Sequence, residues 1–486
     1  MKNLSAFLSI IITVLFLQNI SYAQSIEIDK SVGHEYAQKV IKDMGIYQDH
    51  ALTAYVDSVG QKLVGNLEEK KFDYQFFIVE NIEPNAFALP GGYIFITTGL
   101  LPIIQTEDEL ACIISHEIIH SHNRHTVSQF KKGILPRLLE VPGNLLGILS
   151  KDLETIFNAP IKSTNALYMA SHGRKNETEA DLEGMELAAK SGYKPSALKD
   201  ILHRMSTSIE LVTGEAERKS YFNDHPYTPD RINAIDLQST IMEKEPSSSF
   251  TKNYSTKING LLFGESVYKG VLDQQTFLHP VFDFKVTFPA HWNLVNQPDF
   301  VGGYNPNGKE GIIVTLEEEK DIMEAALSFM EELSEDEKNA MISKGYFANR
   351  ETNGYLMTFE GELNKEKKYA NIGWVLVNNY VYKITSFTYK PDDESFEYVI
   401  KTLLPLEKKD YSQIHTHKII AVQAKKGETL QQLCKRKDNK ANVKLIGVLN
   451  DLEANERLQE GQWVKIVNEF PYYTEVEIDH EMAITK

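Results

Sequence analysis

Only two of the 486 residues are cysteine, Cys112 and Cys434. They are too few and too far apart for a disulfide framework, so a fold stapled by disulfides is excluded. Cys112 stands one helical turn before His116 and reads as a small buried apolar residue. Positive charge is also short. The chain has 51 Lys and Arg against 68 Asp and Glu, a formal net charge of −17. That balance argues against a nucleic acid or an anionic membrane as partner. No apolar run approaches the length that spans a bilayer, and no repeat period marks a solenoid.

What is present fits globular domains rather than disorder, with 42% hydrophobic and 10% aromatic residues. The length alone gives a prior of two to three domains. Residues 1–23 read as a secretory signal peptide. Lys2 supplies a positive start, Ala6 to Leu17 an apolar stretch, and Ser21-Tyr22-Ala23 a small-residue cleavage site. The mature protein is therefore expected to start near Gln24 and to be periplasmic or secreted. No cysteine stands beside the cleavage site, which excludes lipid attachment there.

The most informative stretch is Ser115-His116-Glu117-Ile118-Ile119-His120, an H-E-x-x-H pattern in a run with helical character. Residues four apart lie about 40° from each other around a helix, so His116 and His120 share a face. Two imidazoles one turn apart can hold one Zn²⁺, and Glu117 beside them can act as a general base toward water. The alternative is an ordinary helix with polar residues on a wet face. Thr106 with Glu109 reads as a capping box at the start of this helix. His122 and His125 rotate away from the His116/His120 face and read as non-ligands.

Upstream, helical patterns surround Glu35–Met44 and Leu52–Leu67, and Phe72–Val79 reads as a strand. Residues 85–97 read as a strand, a Pro-Gly-Gly turn and a second strand. A peptidase needs an exposed strand edge on which an extended substrate can pair, and Asn85, Ala86 and Phe87 are the candidates; a plain structural hairpin is the other reading. Residues 126–165 carry Pro136, Pro142 and Gly143 among apolar patches and read as an insertion near the cleft, a candidate lid.

The third ligand decides the class. An extended H-E-x-x-H-x-x-G-x-x-H site needs Gly and His at positions 123 and 126, where the chain has Asn123 and Thr126. A thermolysin-like or related arrangement needs instead a carboxylate on a later helix. Arg174 to Lys190 reads as that helix, with Gly192 and Pro195 beyond its end. Glu177 and Asp181 are four apart on one face. Glu177 is a candidate ligand, and Asp181 is a candidate acceptor for the outer nitrogen of a ligand histidine. From spacing alone an acidic helix face is as readily a solvated one.

Taken together, Asn85–Gly92, His116-Glu117-x-x-His120, Arg174-x-x-Glu177-x-Glu179-Ala180-Asp181 and Asp224-His225-Pro226-x-x-x-Asp230-Arg231-Ile232 resemble, in this order, the zinc peptidases grouped with HtpX, the CAAX prenyl protease and the BepA-type envelope proteases. The resemblance covers roughly residues 30–240. It implies one Zn²⁺ per chain on His116, His120 and Glu177, Glu117 as general base, and Asp181 behind the ligands. It implies that His225 either closes the metal site in a latent form or helps polarise the substrate carbonyl. Arg231 braces the carboxylates or caps the helix that follows. The chain lacks the spanning helices of the membrane relatives and the helical repeats of the BepA-type ones.

After Lys244, Glu245–Ser249 reads as a linker. Residues 256–407 alternate strand-like and helical stretches and read as an α+β accessory domain with an antiparallel sheet. It holds no catalytic constellation, and His279 and His291 are assigned no role. Residues 416–468 resemble a LysM-like βααβ module, with Gly427-Glu428-Thr429-Leu430 and Leu458-x-x-Gly461-Gln462 as its turns. Such modules often bind peptidoglycan; a purely structural cap is the other reading. The expected fold is α+β: a mainly helical peptidase domain over residues 24–244 with a small edge sheet, the accessory domain, and the small end module. The expected function is a zinc endopeptidase acting on unfolded or misassembled exported proteins. Its rival is a latent or non-proteolytic envelope-binding protein that works through its C-terminal modules.

Overall fold

The fold was obtained as a computed structural model. It describes residues 25–125, 173–213, 225–226, 229–242, 254–348, 353–363, 365–390 and 393–472. The expected signal peptide, the 126–165 insertion, Asp224 and the 245–249 linker lie outside these residues. The chain divides into two units, one of residues 1–134, 168–265 and 417–469, the other of residues 135–167, 266–416 and 470–486.

In the first unit, helix α1 (25–44) is followed by α2 (His50–Val64). Asp49 starts α2 by accepting a hydrogen bond from Leu52 N at 2.9 Å. Leu52, Val56, Val59 and Leu63 recur at helical spacing and are all buried. Three strands follow: β1 (Gln75–Val79), β2 (Ala86–Leu89) and β3 (Tyr93–Thr97). Their order is β1-β3-β2, with β1 parallel and β2 antiparallel to β3. The turn between β2 and β3 places Gly91 at φ 80° and Gly92 at φ 93°. A Cβ on Gly92 would also meet Phe72 Cβ at 2.9 Å, so both sterics and dihedral require glycine there.

Helix α3 (Glu107–His122) carries the H-E-x-x-H residues and is buried from Asp108 to Ser121. Thr106 Oγ1 accepts from Glu109 N at 3.1 Å, which is half of the expected capping box. The other half is missing because Glu109 serves different partners. Its carboxylate accepts from Gln105 N at 2.7 Å and from Arg204 Nη1 at 2.8 Å. Helices α4 (Arg174–Lys190) and α5 (Ala197–Thr213) pack on α3, and α6 (Pro229–Met242) packs on α4 and α5. Gly192, just beyond α4, is at φ 81°, in keeping with a helix stop.

The C-terminal part of this unit has the expected strand–helix–helix–strand order. Strands His415–Gln423 and Trp463–Pro471 pair with each other, with helices Leu430–Arg436 and Val443–Asn450 between them. Both turn glycines, Gly427 and Gly461, have positive φ. Thr429 and Gln432 form a reciprocal cap on the first helix. The segment does not keep a core of its own. Leu430, Leu433, Ile446, Leu449, Val464 and Ile466 belong to the same buried cluster as α2, the three-stranded sheet and α3. The expected third domain is thus built into the unit that holds the H-E-x-x-H helix.

The second unit is built on a seven-stranded antiparallel sheet. Its order is Met341–Ala348, Asn353–Leu363, Glu366–Val377, Tyr380–Thr388, Gly311–Leu316, Val301–Tyr304 and Asn293–Asn296. Alternation along Glu366–Val377 sends Ile372 and Trp374 to one face, against Ala325 and Ala326. It sends Val375 to the other, against Phe396, Val399 and Ile400. Between Asp321 and Met341 the helical stretch is two helices, Ile322–Glu332 and Glu335–Ala340. Ser334 and Glu337 form a capping box that starts the second. A four-stranded sheet completes the unit, and His279 within it is structural: its Nδ1 accepts from Phe282 N at 3.3 Å and its ring stacks on Phe284. Among the described residues, no helix is long and apolar enough to cross a membrane.

Candidate metal centre

Three separate parts of the chain converge on one buried point. Helix α3 presents His116 and His120, α4 presents Glu177, and the short stretch before α6 presents His225. One donor atom from each of these four lies within 4.8 Å of every other. His116 Nε2 is 2.9 Å from His120 Nε2 and 3.1 Å from His225 Nδ1. Glu177 places Oε1 3.3 Å from His120 Nε2 and Oε2 3.7 Å from His116 Nε2. His225 Nδ1 is 3.2 and 3.1 Å from the two Glu177 oxygens. Glu117, also buried, has Oε1 3.6 Å from His225 Nε2.

The outer nitrogens of the two α3 histidines are also engaged. His116 Nδ1 lies 2.9 Å from Asp181 Oδ1. A carboxylate only accepts, so His116 carries its proton on Nδ1 and turns the Nε2 lone pair inward. His120 Nδ1 meets His125 Nδ1 at 3.1 Å. With His120 donating there, its Nε2 lone pair also points inward. Two imidazole lone pairs 2.9 Å apart, with a carboxylate beside them, repel unless a cation lies among them. The donor set of two imidazoles and one carboxylate is that of a catalytic zinc site. The residues therefore fit the zinc that the pattern implies.

Arg231 braces the arrangement. Its Nε and Nη2 donate to the two Asp181 oxygens at 2.5 and 2.8 Å. Its Nη1 is 3.1 Å from Glu177 Oε2 and donates to His225 O at 2.9 Å. One guanidinium thus ties α4, α6 and the His225 stretch together. Of the two roles open to Arg231, the geometry is that of a carboxylate brace.

The electrostatics follow from these contacts. Burial alone would push the Glu177 carboxyl up, but His225, the His120 hydrogen bond and Arg231 together hold it well below the usual range. Asp181 is likewise lowered, with Arg231 and His116 outweighing burial. Both are held as carboxylates, which is the form a ligand and its brace require. Burial pushes His225 down, with Glu177 only partly opposing it, so its imidazole is kept neutral.

His125 lies outside the donor group, yet it partners His120, a role that helical spacing could not give. The helix ends at His122, and Arg124 at φ 60° turns the chain back. The 100° rule therefore does not apply to residue 125. Arg124 is anchored by two hydrogen bonds to Asp29, at 2.5 and 3.0 Å. Behind His125, its Nε2 lies 3.6 Å from Glu179 Oε1, and Asn123 Nδ2 donates to Glu179 and Glu183 at 2.9 and 2.8 Å. His122 faces away and pairs with Tyr74 OH at 3.1 Å.

Asn85, Ala86 and Phe87 lie on or beside the outer strand of the small sheet, and all three are buried. The turn after β2 is tied to α3, where Gly92 N donates to Ser121 Oγ at 3.0 Å. Substrate pairing along this strand would require exchange of the contacts that bury it.

The close approach of α4 to α3 depends on Gly184. A Cβ there would lie 3.1 Å from His116 N and 3.2 Å from its Cα, and backbone cannot step aside. Gly184→Ala is expected to force the helices apart, at a cost of about 1–3 kcal/mol, and to weaken metal binding by drawing Glu177 and Asp181 off the α3 histidines. Urea unfolding with a zinc-competition titration checks both effects. Wild-type values in both would show that the helices tolerate the methyl.

Residues 50–238 match the model of peptidase family M48. The chain is 27% identical over 233 residues to a beta-barrel assembly-enhancing protease of Yersinia pestis, covering 46% of each protein. It is 28% identical over 185 residues to the Escherichia coli K12 protein of the same name, covering 37% of this chain and 38% of that one. It is 26% identical over 239 residues to the mitochondrial metalloendopeptidase OMA1 of Schizosaccharomyces pombe, covering 47% and 67%. The match thus spans less than half the length of the two bacterial proteins. The family model covers α2 through most of α6, and every residue of the metal centre lies within it. Over residues 50–238 the chain is thus similar to peptidase family M48 and to metallopeptidases named for that chemistry.

Proposed function

We propose that the protein is a zinc-dependent endopeptidase of the cell envelope that hydrolyses unfolded or misassembled exported proteins. The observation that carries this is the convergence of His116, His120 and Glu177 on one buried point, with the Glu117 carboxylate on the same turn of α3. A structural metal site has no need of that carboxylate.

His116, His120 and Glu177 would hold the ion. Zinc bound there supplies Lewis acidity toward the scissile carbonyl and lowers the pKa of the attacking water. The remaining chemistry belongs to the chain. Glu117 takes a proton from the water and delivers it to the departing nitrogen. Asp181 and His125 fix which nitrogen of each α3 histidine faces the ion. His225 stands as a fourth protein donor, although a catalytic site keeps one position open. In this arrangement the site is closed. Once His225 withdraws, its N–H can donate to the carbonyl oxygen of the substrate.

The substrate class rests on the expected signal peptide and on the bacterial relatives named for beta-barrel assembly. The fourth donor also favours a second reading, a latent protein that binds peptidoglycan or a protein partner through its C-terminal part. Casein cleavage by the mature protein separates them. Cleavage stopped by 1,10-phenanthroline and restored by added zinc is the expected outcome. Cleavage indifferent to the chelator would sink the metal mechanism. A zinc-loaded chain that leaves casein intact would favour the latent protein.

A further inference from the structure

The segment that feeds the metal helix, residues 101–104, forms no regular helix or strand. Its four carbonyls are nevertheless all claimed by buried side chains from distant parts of the chain. Leu101 O accepts from Tyr254 OH at 2.9 Å, and Ile103 O from Arg204 Nη1 at 3.3 Å. Pro102 O and Ile104 O both accept from Lys465 Nζ, each at 2.7 Å. Lys465 is fully buried, and a single lysine supplies half of these bonds. It is itself held in place, since its N and O are both bonded to the Asn450 side chain, at 2.7 and 2.8 Å. One residue further on, Gln105 Nε2 donates to Leu449 O.

A buried lysine is rare without strong partners. Burial drives this ammonium well below its usual range, and Glu109 opposes the shift while Arg204 adds to it. Protonated or neutral, the amine keeps the two N–H groups that the carbonyls need. Glu109 closes the network from inside α3, bonded to Gln105 N and Arg204. Two to three turns further along the same helix stand His116 and His120.

We propose that Lys465 is a positioning residue of the metal centre, and that the C-terminal βααβ segment serves as a brace that sets the pose of α3. The inference goes beyond the peptidase reading but rests on its zinc site. It assigns the segment a task inside the catalytic unit, in place of a detachable wall-binding one. The lever is mechanical: a helix is stiff, so a shift where it begins is carried to the donors along its length.

Lys465→Met in the full mature chain keeps the apolar stem and removes both N–H donors. Zinc affinity by competition with a chromophoric chelator and the visible spectrum of the cobalt-substituted protein report on the site without reference to cleavage. Leu433→Ala is the control, since it opens a cavity in the same segment and is absent from the 101–105 network. Lys465→Met is expected to weaken zinc about tenfold or more and to change the cobalt spectrum. At the same loss of melting temperature, Leu433→Ala should keep zinc affinity within about twofold. Wild-type affinity and spectrum in Lys465→Met would overturn the proposal. So would a Leu433→Ala protein that loses zinc in step with its stability. Should Lys465→Met fail to fold, Gln105→Ala breaks the link to Leu449 alone. It should weaken zinc in the same direction, and wild-type behaviour there is an overturning result. A wild-type chain that takes up neither metal overturns the zinc reading itself.

Discussion

Glu117→Gln is expected to lower kcat for peptide hydrolysis by about 10³-fold or more while the protein keeps one zinc per chain. The reason lies in how the centre divides its work. The group that could hold a metal is His116, His120, Glu177 and His225, and Glu117 is not in it. Its carboxylate is fully buried on the turn between the two histidines, 3.6 Å from His225 Nε2. An amide of the same shape fills the same space but cannot accept a proton from water. Folding, metal content and KM should therefore change little while the chemical step is lost. Steady-state kinetics beside metal analysis makes the separation. A variant that cleaves at the wild-type rate would remove Glu117 from the mechanism. One that loses its zinc would show that the residue holds the site together instead.

The second large effect falls on Arg231. Its guanidinium is buried and satisfies Asp181 through two hydrogen bonds, while a third nitrogen reaches Glu177 and the His225 carbonyl. Arg231→Met leaves two buried carboxylates without their cation, and Asp181 then no longer holds the His116 ring firmly. Removing one partner of such a buried pair costs about 3–5 kcal/mol. Urea unfolding should show that loss, together with a fall in zinc affinity. Arg231→Lys is expected to recover little of it, since an ammonium cannot donate in the planar fork that Asp181 receives. A variant within about 1 kcal/mol of wild type would show that water or another donor replaces the guanidinium.

How much of this was legible in the sequence depended on whether the signal was local. Helix period alone put His116 and His120 on one face, and the Pro-Gly-Gly turn between two strands followed from positive-φ chemistry at Gly91 and Gly92. Glu177 and Asp181 shared a face by spacing, but spacing cannot say what stands opposite a helix, so a solvated acidic face read equally well. Arg231 had the same ambiguity, which only its contacts with Asp181 and Glu177 resolve. Helical geometry misled only beyond the end of α3, where the turn at Arg124 returns His125 to the His120 ring. The break at Ser334 was spelled out by Ser334 and Glu337, a capping box inside what otherwise reads as one helix. The C-terminal segment showed its elements plainly but not its place. Nothing near Lys465 in sequence announces that its ammonium ends on the carbonyls of Pro102 and Ile104.

Three residues, His116, His120 and Glu177, are expected to hold a metal on which peptide cleavage depends. Zinc content of the mature protein beside Glu177→Gln, measured together with casein cleavage, tests it most directly. One zinc per wild-type chain, lost or much weakened in the variant, with cleavage falling in parallel, is the expected result. No zinc in the wild type, or a Glu177→Gln protein that binds zinc and cleaves like the parent, would contradict it.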